Sequence, residues 1–504
     1  MPILDVSGNP IDTQQPKRER AREMLRERYW SSLKARYDAA QTSHENEKHW
    51  AMADGLSASA AGSPEVRKKL RDRSRYEVAN DSYAAGIVQS KVVDVIGSGP
   101  RLSLSLEDET AAAEIAAKFH QWAKAIDLGG KLRTFYRSLI VDGEAFMLRV
   151  ATDYYGPSVP QLDYVLYEAD QVATPYGRLE GERYRDGVRL DDVGHPLAYD
   201  VLNYHPGDDG VFYGIGPRDY RTYPAKRRLI HLYRQDRPGQ VRGIPHLTPA
   251  LSLFAKRRRY ALATITAAET AANLAAVLYT DHPALGDEDI AALDDDSFFE
   301  VPRGSMPVLP TGYKLNQLKS EQPTETYGAF SKEILQEISR CLGVPLAIAI
   351  NNSENHNYAS GRLDHQLYYR LVHVERCWLN CNVLDLVFKH WLEEALFIPG
   401  YLPPVAFADD EFNLPHRWYY DPKPHVDPEK EARGLITLWE KGLATDEDFF
   451  LETLGRDPVE MYAILARQKE AREKLGLPFP GQELQVQKEM AEANSERQAE
   501  EDPE

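Results

Sequence analysis

Two long stretches of this chain contain neither glycine nor proline, and their length limits the folds that the chain can adopt. Thr248 and Pro249 supply an N-cap and a first-turn proline, and no further glycine or proline occurs until Pro283. At 1.5 Å per residue, a helix over 249–280 is roughly 48 Å long, and one over 362–398 is roughly 55 Å long. The sequence therefore predicts a protein organised around very long helices.

The stretch from Tyr260 to Tyr279 has the length of a membrane span but not its chemistry. Roughly 20 predominantly apolar residues are needed to cross a bilayer. This segment is rich in alanine and threonine, and it carries the carboxylate of Glu269 near its centre. The composition favours a soluble helix that packs closely against other helices.

Charge and cysteine content exclude several classes of protein. The 504 residues are enough for about three domains, and they carry a net charge of −18 from 78 acidic and 60 basic residues. A free-standing protein that binds nucleic acid by coating its phosphates is usually basic. Three cysteines exclude a disulfide scaffold and suit a reducing compartment. The first 20 residues contain no apolar segment typical of a secretory signal.

Shorter patterns predict helices on both sides of a β-rich region. Helices are predicted over 66–96, with an interruption near Asn80, twice within 108–144, over 324–342 between a Thr324 cap and Gly343, and three times within 427–476. Strands are predicted over Ala145–Val150, Tyr164–Tyr167, Leu197–Leu202 and Leu229–Tyr233. The stretch 346–360 is apolar at first and then rich in asparagine, which predicts a loop with a hydrophobic root.

No common catalytic motif is present. The chain has no phosphate-binding loop, no HExxH and no GxSxG. His373, Cys377 and Cys381 have the i, i+4, i+8 spacing of one helix face, but the outer two lie roughly 12 Å apart along the axis, too far to bind one zinc ion. Buried cysteine behaves as a small hydrophobic residue, so core packing is the prediction for this row.

Two runs of like charge stand out in the sequence. The acidic segment 281–300 contains Asp294, Asp295 and Asp296 and is predicted to be a solvated loop. The basic run from Lys256 to Arg259 begins the helix at 249, and its four side chains cannot share a face because successive residues rotate by about 100°. Three interpretations stay open for the run: contact with DNA phosphates, contact with a neighbouring subunit, and simple solvation.

Several stretches, in this order, resemble the lambda-like portal proteins of tailed bacteriophages and related prophages. The resemblance is spread over most of the chain, and residues 1–60 and the acidic tail do not contribute to it. The matching stretches are RDRSRYEVANDSYAAGIVQSKVVDVIGSGPRL (71–102), VDGEAFMLRV (141–150), GVRLDDVGHPLAYDVLNYHPG (187–207), HLYRQDRPGQVRGIPHLTP (231–249), ILQEISRCLGVPLAIAINNSENHNYASGR (334–362) and WYYDPKPHVDPEKEARGLITLWEKG (418–442).

The resemblance implies an α+β subunit that assembles as a ring, usually a dodecamer, at one vertex of the capsid. Partners implied in the same way are other copies of the chain, the large terminase subunit, the major capsid and scaffold proteins, the head-completion or neck proteins, and double-stranded DNA that passes non-specifically. The implied location is the virion, and the host cytoplasm during assembly. The resemblance implies no cofactor, no metal, no catalytic residue and no membrane binding.

Mapping by position divides the chain into the parts of such a subunit. These are an N-terminal arm (1–29, disordered or helical), an α/β wing (30–245), a first stem helix (246–280), a small β-containing clip (281–322), a second stem helix (323–344), a tunnel loop (345–361), a long wing helix (362–398), a helical crown (399–480) and an acidic disordered tail (481–504).

The same mapping assigns candidate contact residues. Asn351, Asn352, Ser353, Asn355, His356 and Asn357 would line the DNA channel; Lys256, Arg257, Arg258 and Arg259 would contact phosphates or a neighbouring subunit; and Asp287, Glu288, Asp289, Asp294, Asp295 and Asp296 would bind the motor or neck.

Two other classes of protein remain as alternatives. A head–tail adaptor or neck ring protein is also a structural ring, but adaptors are generally much shorter than this chain. A phage-encoded nuclease is the second alternative, because His195, His205 and His231 lie near aspartates in the β-rich region. Scattered histidines without a motif are the more economical interpretation of those three residues.

Overall fold

A computed structural model gives the structure of the protein. It describes residues 55–477, except 154–155, 157, 177, 209–218, 274–276, 281–312, 317–325, 353–357, 408–413, 423–427, 447–448 and 457, and also residues 19, 22, 24, 48, 51 and 53. The chain forms two units, Met1–Ser57 and Ala58–Glu504, and every element described below belongs to the second unit. That unit mixes helices with four small antiparallel sheets among its described residues.

Two consecutive helices confirm the interrupted helix predicted over 66–96. The first, α1 (Pro64–Asn80), follows the short helical turn Ala58–Ala61. A single residue separates α1 from the second helix, α2 (Ser82–Ile96). Asp81 separates them with an extended backbone, and its carboxylate accepts hydrogen bonds from the amides of Tyr83 (2.9 Å) and Ala84 (3.3 Å). A side chain that caps the second helix therefore causes the break.

The next elements form the first sheet and the helices that pack on it. Asp108 and Asp127 cap two predicted helices, and Gly143 ends the second of them in a left-handed conformation (φ 87°). The central strand of a three-stranded sheet, whose order is Leu162–Tyr167, Glu144–Ala151, Leu229–Tyr233, follows directly. In chain order the elements are β1 (Arg101–Leu104), α3 (Glu109–Ala125), α4 (Leu128–Asp142), β2 (Glu144–Ala151) and β3 (Leu162–Tyr167).

A second, four-stranded sheet completes the predicted β-rich region. Its strands are β4 (Tyr184–Arg185), β5 (Val188–Leu190), β6 (Pro196–Leu202) and β7 (Tyr220–Pro224). They follow one another in the order β4-β5-β6-β7, and every pair is antiparallel. The next strand, β8 (Leu229–Tyr233), joins the first sheet beside β2, and short 3-10 turns lie at Ala169–Gln171 and Thr248–Ala250.

The first long helix is shorter than the sequence predicted. Helix α5 spans Leu251–Asn273, and the segment β9 (Val277–Thr280) is a strand that pairs with β10 (Tyr313–Asn316). The prediction of one helix over 249–280 is therefore wrong at its C-terminal end. β-Branched and aromatic residues in β9 favour a strand once a partner strand is available, and a pattern of helical period cannot reveal that partner.

The next helices confirm one prediction and correct another. Helix α6 (Thr326–Cys341) matches the helix predicted over 324–342. The stretch 346–360 is not a loop throughout, because α7 (Leu346–Ile350) is a short helix and α8 (Tyr358–Leu379) begins before residue 362. The apolar side chains of α7 pack against the main core, which stabilises helical structure where the sequence showed only a hydrophobic root.

The second long helix continues beyond α8 through a π-helical segment, Asn380–Leu384, into α9 (Asp385–Ala395). Helical structure thus extends without interruption from Tyr358 to Ala395, close to the predicted 362–398. A 3-10 turn (Pro404–Phe407) and β11 (His416–Tyr419), which pairs with β1, follow the long helix. The three helices predicted within 427–476 correspond to α10 (Pro428–Glu440), a π-helical turn (Phe449–Leu454) and α11 (Pro458–Lys474).

An aromatic cluster at the centre of the main core joins distant parts of the chain. The ring of Phe119 on α3 lies 5.7 Å from Phe388 and 5.4 Å from Trp391, both on α9. The same ring lies 5.6 Å from Trp418 on β11. Trp122, one turn further along α3, donates to the carbonyl of Leu162 over 2.9 Å. The long helix is therefore fixed to α3 and β3 by packed rings with one satisfied indole N–H.

A fully buried ion pair connects the two sheets. The carboxylate of Glu144, at the start of β2, accepts two hydrogen bonds of 2.7 Å from the Arg242 guanidinium. Gly243 (N–H, 3.1 Å) and the His231 ring (3.2 Å) also bind this carboxylate. Burial alone would raise the pKa of Glu144, but Arg242 and His231 hold it well below its usual value. The charge is thus retained inside the fold.

Arginines of α1 extend this pair into a network. Arg71 lies 2.8 Å from Asp170 and 3.8 Å from Glu144, and Arg75 lies 2.7 Å from Asp142 and 2.8 Å from Asp170. Asp170, in the turn after β3, binds both arginines, while Asp142 ends α4 and Glu144 begins β2. Helix α1 is consequently attached to the first sheet by charge-assisted hydrogen bonds as well as by apolar contacts.

Two glycines allow the backbones beside this pair to approach each other. A Cβ on Gly143 would lie 2.1 Å from the carbonyl carbon of Ile244, and a Cβ on Gly243 would lie 2.0 Å from the carbonyl oxygen of Gly143. Both distances are far below van der Waals contact. This crossing places Glu144 and Arg242 within reach of each other.

Gly143→Ala is expected to destabilise the protein much more than Gly156→Ala. Both glycines have similar positive φ angles, 87° and 83°, but no atom of the described residues lies within 4 Å of a Cβ on Gly156. The strain of the left-handed backbone is therefore matched, and the clash adds about 1–3 kcal/mol at Gly143 alone. Chemical unfolding of both variants measures this difference. Equal losses of stability would contradict the close crossing.

Glu144→Gln is expected to lower the free energy of unfolding by up to about 3–5 kcal/mol, because it removes the fully buried carboxylate that binds Arg242 and leaves only Asp186, which Arg67 also binds, as a counter-ion 2.9 Å away. Asp192→Asn is the control: it removes a carboxylate from a pair with Arg183 in which both side chains are more than 70% exposed, and it should cost less than about 1 kcal/mol. Unfolding at neutral pH compares the two. A similar small effect of both variants would show that the buried pair is dispensable.

Candidate assembly and DNA-contact surfaces

The two helices assigned as stem helices pack against each other. Tyr260 of α5 stacks on Tyr327 of α6 with 5.5 Å between ring centroids, and it meets Phe330 edge-on at 4.9 Å. Phe254 and Ile338, nearer the core on the same helices, are fully buried. The antiparallel strands β9 and β10 pair in the segment that connects the helices. The chain thus forms a helical hairpin anchored in the core.

The acidic candidates lie outside the described residues. They belong to the segment 281–312 between β9 and β10. These six candidates are Asp287, Glu288, Asp289, Asp294, Asp295 and Asp296.

The asparagine-rich candidates lie at the end of α7. Asn351 ends that helix in a left-handed conformation (φ 49°), and both Asn351 and Asn352 are exposed. The amide of Asn352 donates to the carbonyl of Ala347 over 3.1 Å, which extends the turn. The remaining candidates, Ser353, Asn355, His356 and Asn357, lie outside the described residues.

Two of the four basic candidates are bound within the chain. Arg257 forms an ion pair with Asp81 and lies 4.8 Å from the Tyr83 ring. Arg258 donates two hydrogen bonds, of 2.7 and 2.9 Å, to Glu77. The carboxylates of α1 and the α1–α2 junction neutralise these guanidinium groups within the subunit, and the assignment of both to phosphates or a neighbouring subunit stays a prediction.

The other two basic candidates face solvent. Lys256 and Arg259 are exposed, and neither forms an ion pair with any residue that the structure describes. The rotation of about 100° per residue separates them from Arg257 and Arg258 on the same helix. The basic run is therefore divided between an inner pair that fixes α5 to α1 and α2 and an outer pair that is open to a partner.

The row of His373, Cys377 and Cys381 is exposed, so the prediction that it packs in the core is wrong. The Cys377 sulfur lies 3.6 Å from Nε2 of His373, a distance that suits a weak S–H···N hydrogen bond. The opposite face of this helix, with Val372 and Leu379, supplies the core contacts instead. Among the described residues, these three do not form a group that could hold one metal ion.

The three histidines considered for a nuclease have separate structural environments. His195 contacts Asp191 of its own exposed turn, 3.3 Å away. His231 is buried, and its ring stacks on Phe146 with 4.2 Å between centroids. Burial lowers the pKa of His231 despite the neighbouring Glu144, so this ring is neutral and closed to substrate.

The third histidine belongs to a cluster that sequence patterns did not reveal. His205 Nε2 lies 3.3 Å from Glu168 and 3.9 Å from Asp170, and ligand atoms of these three residues lie within 4.8 Å of one another. Arg75, however, lies 3.1 Å from Glu168 and 2.8 Å from Asp170, and Arg71 also binds Asp170. These guanidinium groups already neutralise the carboxylates. The geometry is therefore that of an ion-pair network and not of a cation site.

None of the described helices is both long and apolar enough to cross a membrane.

Several solved structures are similar to this chain. A chain from the virion of a native gene transfer agent particle has a TM-score of 0.40 and 14% identity, and the similarity covers 81% of this chain and 93% of that chain. A chain from the neck of the native particle, computed with C12 symmetry, has a TM-score of 0.44 and 14% identity, covering 86% of this chain and 99% of that chain.

Sequence comparison identifies the family. A protein of Halomonas phage phiHAP-1, described as a probable portal protein, is 25% identical over 461 residues, which cover 83% of each chain. Residues 45–376, well over half of the chain, match the family described as phage portal protein, lambda family. The chain therefore belongs to the lambda family of phage portal proteins.

Proposed function

We propose that copies of this chain form a dodecameric ring at one vertex of a capsid, and that the genome is packaged and ejected through the channel of that ring. The match of residues 45–376 to the portal family carries this proposal. The paired helices α5 and α6 support it, because such a hairpin presents a narrow element that can repeat around an axis. A head–tail adaptor ring is the weaker alternative, since the family match names the portal.

In this proposal the hairpin of α5 and α6 is the stem, and the chain between β9 and β10 is the clip. The clip would carry the six acidic candidates toward the packaging motor, the large terminase subunit, and later toward the neck proteins. Carboxylates that remain free can attract a basic partner surface. The remaining partners would be the major capsid and scaffold proteins, met in the host cytoplasm before the ring becomes part of the virion.

The same proposal explains how DNA would pass without being held. A net charge of −18 repels the phosphate backbone, so a channel of such subunits does not bind DNA tightly. The asparagines that begin at Asn351 can donate hydrogen bonds to phosphate oxygens without a fixed charge. His356 would be mostly neutral near pH 7 and charged in acid, which would tighten the contact at low pH.

Purified full-length protein is expected to form closed rings with a central channel and to lack ATPase and nuclease activity. The family match and the missing phosphate-binding loop are the reasons. Negative-stain electron microscopy and analytical ultracentrifugation measure the assembly, and phosphate release and plasmid cleavage measure the activities. A protein that stays monomeric at micromolar concentration, with or without scaffold protein, contradicts the ring.

Deletion of residues 352–357 is expected to leave ring assembly intact and to reduce the amount or the retention of packaged DNA. The control replaces the same six residues with a glycine–serine segment of equal length, which keeps the connection from α7 to α8 and removes the asparagine and histidine side chains. Packaging is measured as protected genome per particle. Normal packaging by both variants would show that the segment only connects two helices.

A further inference from the structure

A large groove lies between α6 and α8, and its floor is apolar. The groove has a volume of about 890 Å³ and is lined by Phe330, Leu367 and Leu371, among others. These three side chains are 50%, 58% and 43% exposed. Leu363, one turn before Leu367, is 57% exposed and continues the row for about 12 Å along α8. Exposed apolar surface of this extent indicates a contact with another molecule.

The edge of this α6–α8 groove is acidic. Glu333 and Glu337 of α6 and Asp364 of α8 line it, against a single basic residue, Arg340. Negative charge along the edge repels double-stranded DNA, so DNA is a poor occupant. A suitable occupant is a helix that combines an apolar side chain with two or three positive charges.

The exposed side of α5 has this composition. Lys256, Arg259 and Leu262 follow one another at intervals of three residues and thus lie within about 120° of the helix circumference. All three are exposed, and Leu262 is 65% exposed. Lys256 and Arg259 lie about 100–160° around the helix from Arg257 and Arg258, and Leu262, four residues after Arg258, forms the edge of this side about 40° from Arg258. We call it the α5 basic side.

We propose that the α6–α8 groove receives the α5 basic side of a neighbouring copy of the chain. The proposal rests on the proposed ring and specifies the two surfaces that close it. Lys256 and Arg259 would meet Glu333 and Glu337, and Leu262 would lie over Phe330 and Leu367 in the apolar floor.

The charges also determine the symmetry of this contact. Two copies of the acidic groove repel each other, and so do two copies of the basic side, so neither surface can form a two-fold dimer with itself. A two-fold dimer would have to make both contacts reciprocally within one pair, whereas a single contact between two different surfaces passes from one subunit to the next until the ring closes. The charge distribution excludes groove-to-groove and helix-to-helix pairing, and each subunit of the proposed ring makes the remaining contact once with each neighbour.

Two charge-reversed variants test the proposal in the full-length chain. Lys256→Glu with Arg259→Glu makes the helix side acidic, and Glu333→Lys with Glu337→Lys makes the groove basic. Each variant alone places like charges at every interface, and we expect the fraction assembled into rings to fall roughly tenfold or more. Lys469→Glu with Lys474→Glu, and Glu470→Lys with Glu473→Lys, on exposed positions of α11, are controls with the same changes in net charge.

A mixture of the two variants gives the decisive measurement. In an alternating ring each acidic helix side meets a basic groove and each basic helix side meets an acidic groove, so an even-numbered ring regains every attractive contact. We expect mixing to restore rings that contain the variants in a 1:1 ratio, measured by a tag on one of them. Circular dichroism of each variant checks that folding is unchanged.

The remaining outcomes overturn the inference and separate it from the proposed function. Wild-type-like rings from each variant alone, or no rings from the mixture, would show that these two surfaces do not meet, while the wild-type ring would stand. A wild-type chain that never self-associates would overturn both the ring and its proposed interface.

Discussion

The buried pair of Glu144 and Arg242 is the interaction on which most of the described fold depends. Removing two charges from water costs several kcal/mol for each ion, and this cost is offset only when nearly every lone pair and proton finds a partner. Here the guanidinium also donates to the carbonyls of Ala169 (3.1 Å), Val172 (2.8 Å) and Asp186 (2.6 Å). One side chain thereby fixes two turns, at 169–172 and at 186, whose carbonyls would otherwise be buried without a partner.

The same use of charge fixes the hairpin to the body. Arg257 and Arg258 on α5 bind Asp81 and Glu77, and Asp81 is also the cap that separates α1 from α2. The direction of α5 is thus set at the point where the first two helices meet. On α8, Arg376 donates to the carbonyls of Asp94 and Val95 at the end of α2, which fixes the long helix to the same pair. Charged side chains near helix ends therefore orient both long helices.

Local signals in the sequence predicted most of the fold, and long-range partners account for what they missed. The break at Asn80 and the strand Leu229–Tyr233 depend on neighbouring residues, and the structure confirms them. The predicted N-cap at Thr248 is wrong, because Thr248 lies in a 3-10 turn capped by Leu247 and its hydroxyl donates to the carbonyl of Pro245. The strand at 277–280 depends on a partner more than 30 residues away. The carboxylates that bind Arg257 and Arg258 lie 176 and 181 residues earlier, so no helical pattern could reveal these two ion pairs.

For the candidate surfaces, sequence patterns identified residue types but not the direction in which the residues face. The run from Lys256 to Arg259 is uniform in charge, and the turn of the helix gives its members different roles. The inner two form ion pairs within the chain, while the outer two are exposed and form no ion pair with any described residue. The row with Cys377 was likewise assigned to the wrong face, because a hydrophobic pattern with several small residues fits more than one orientation.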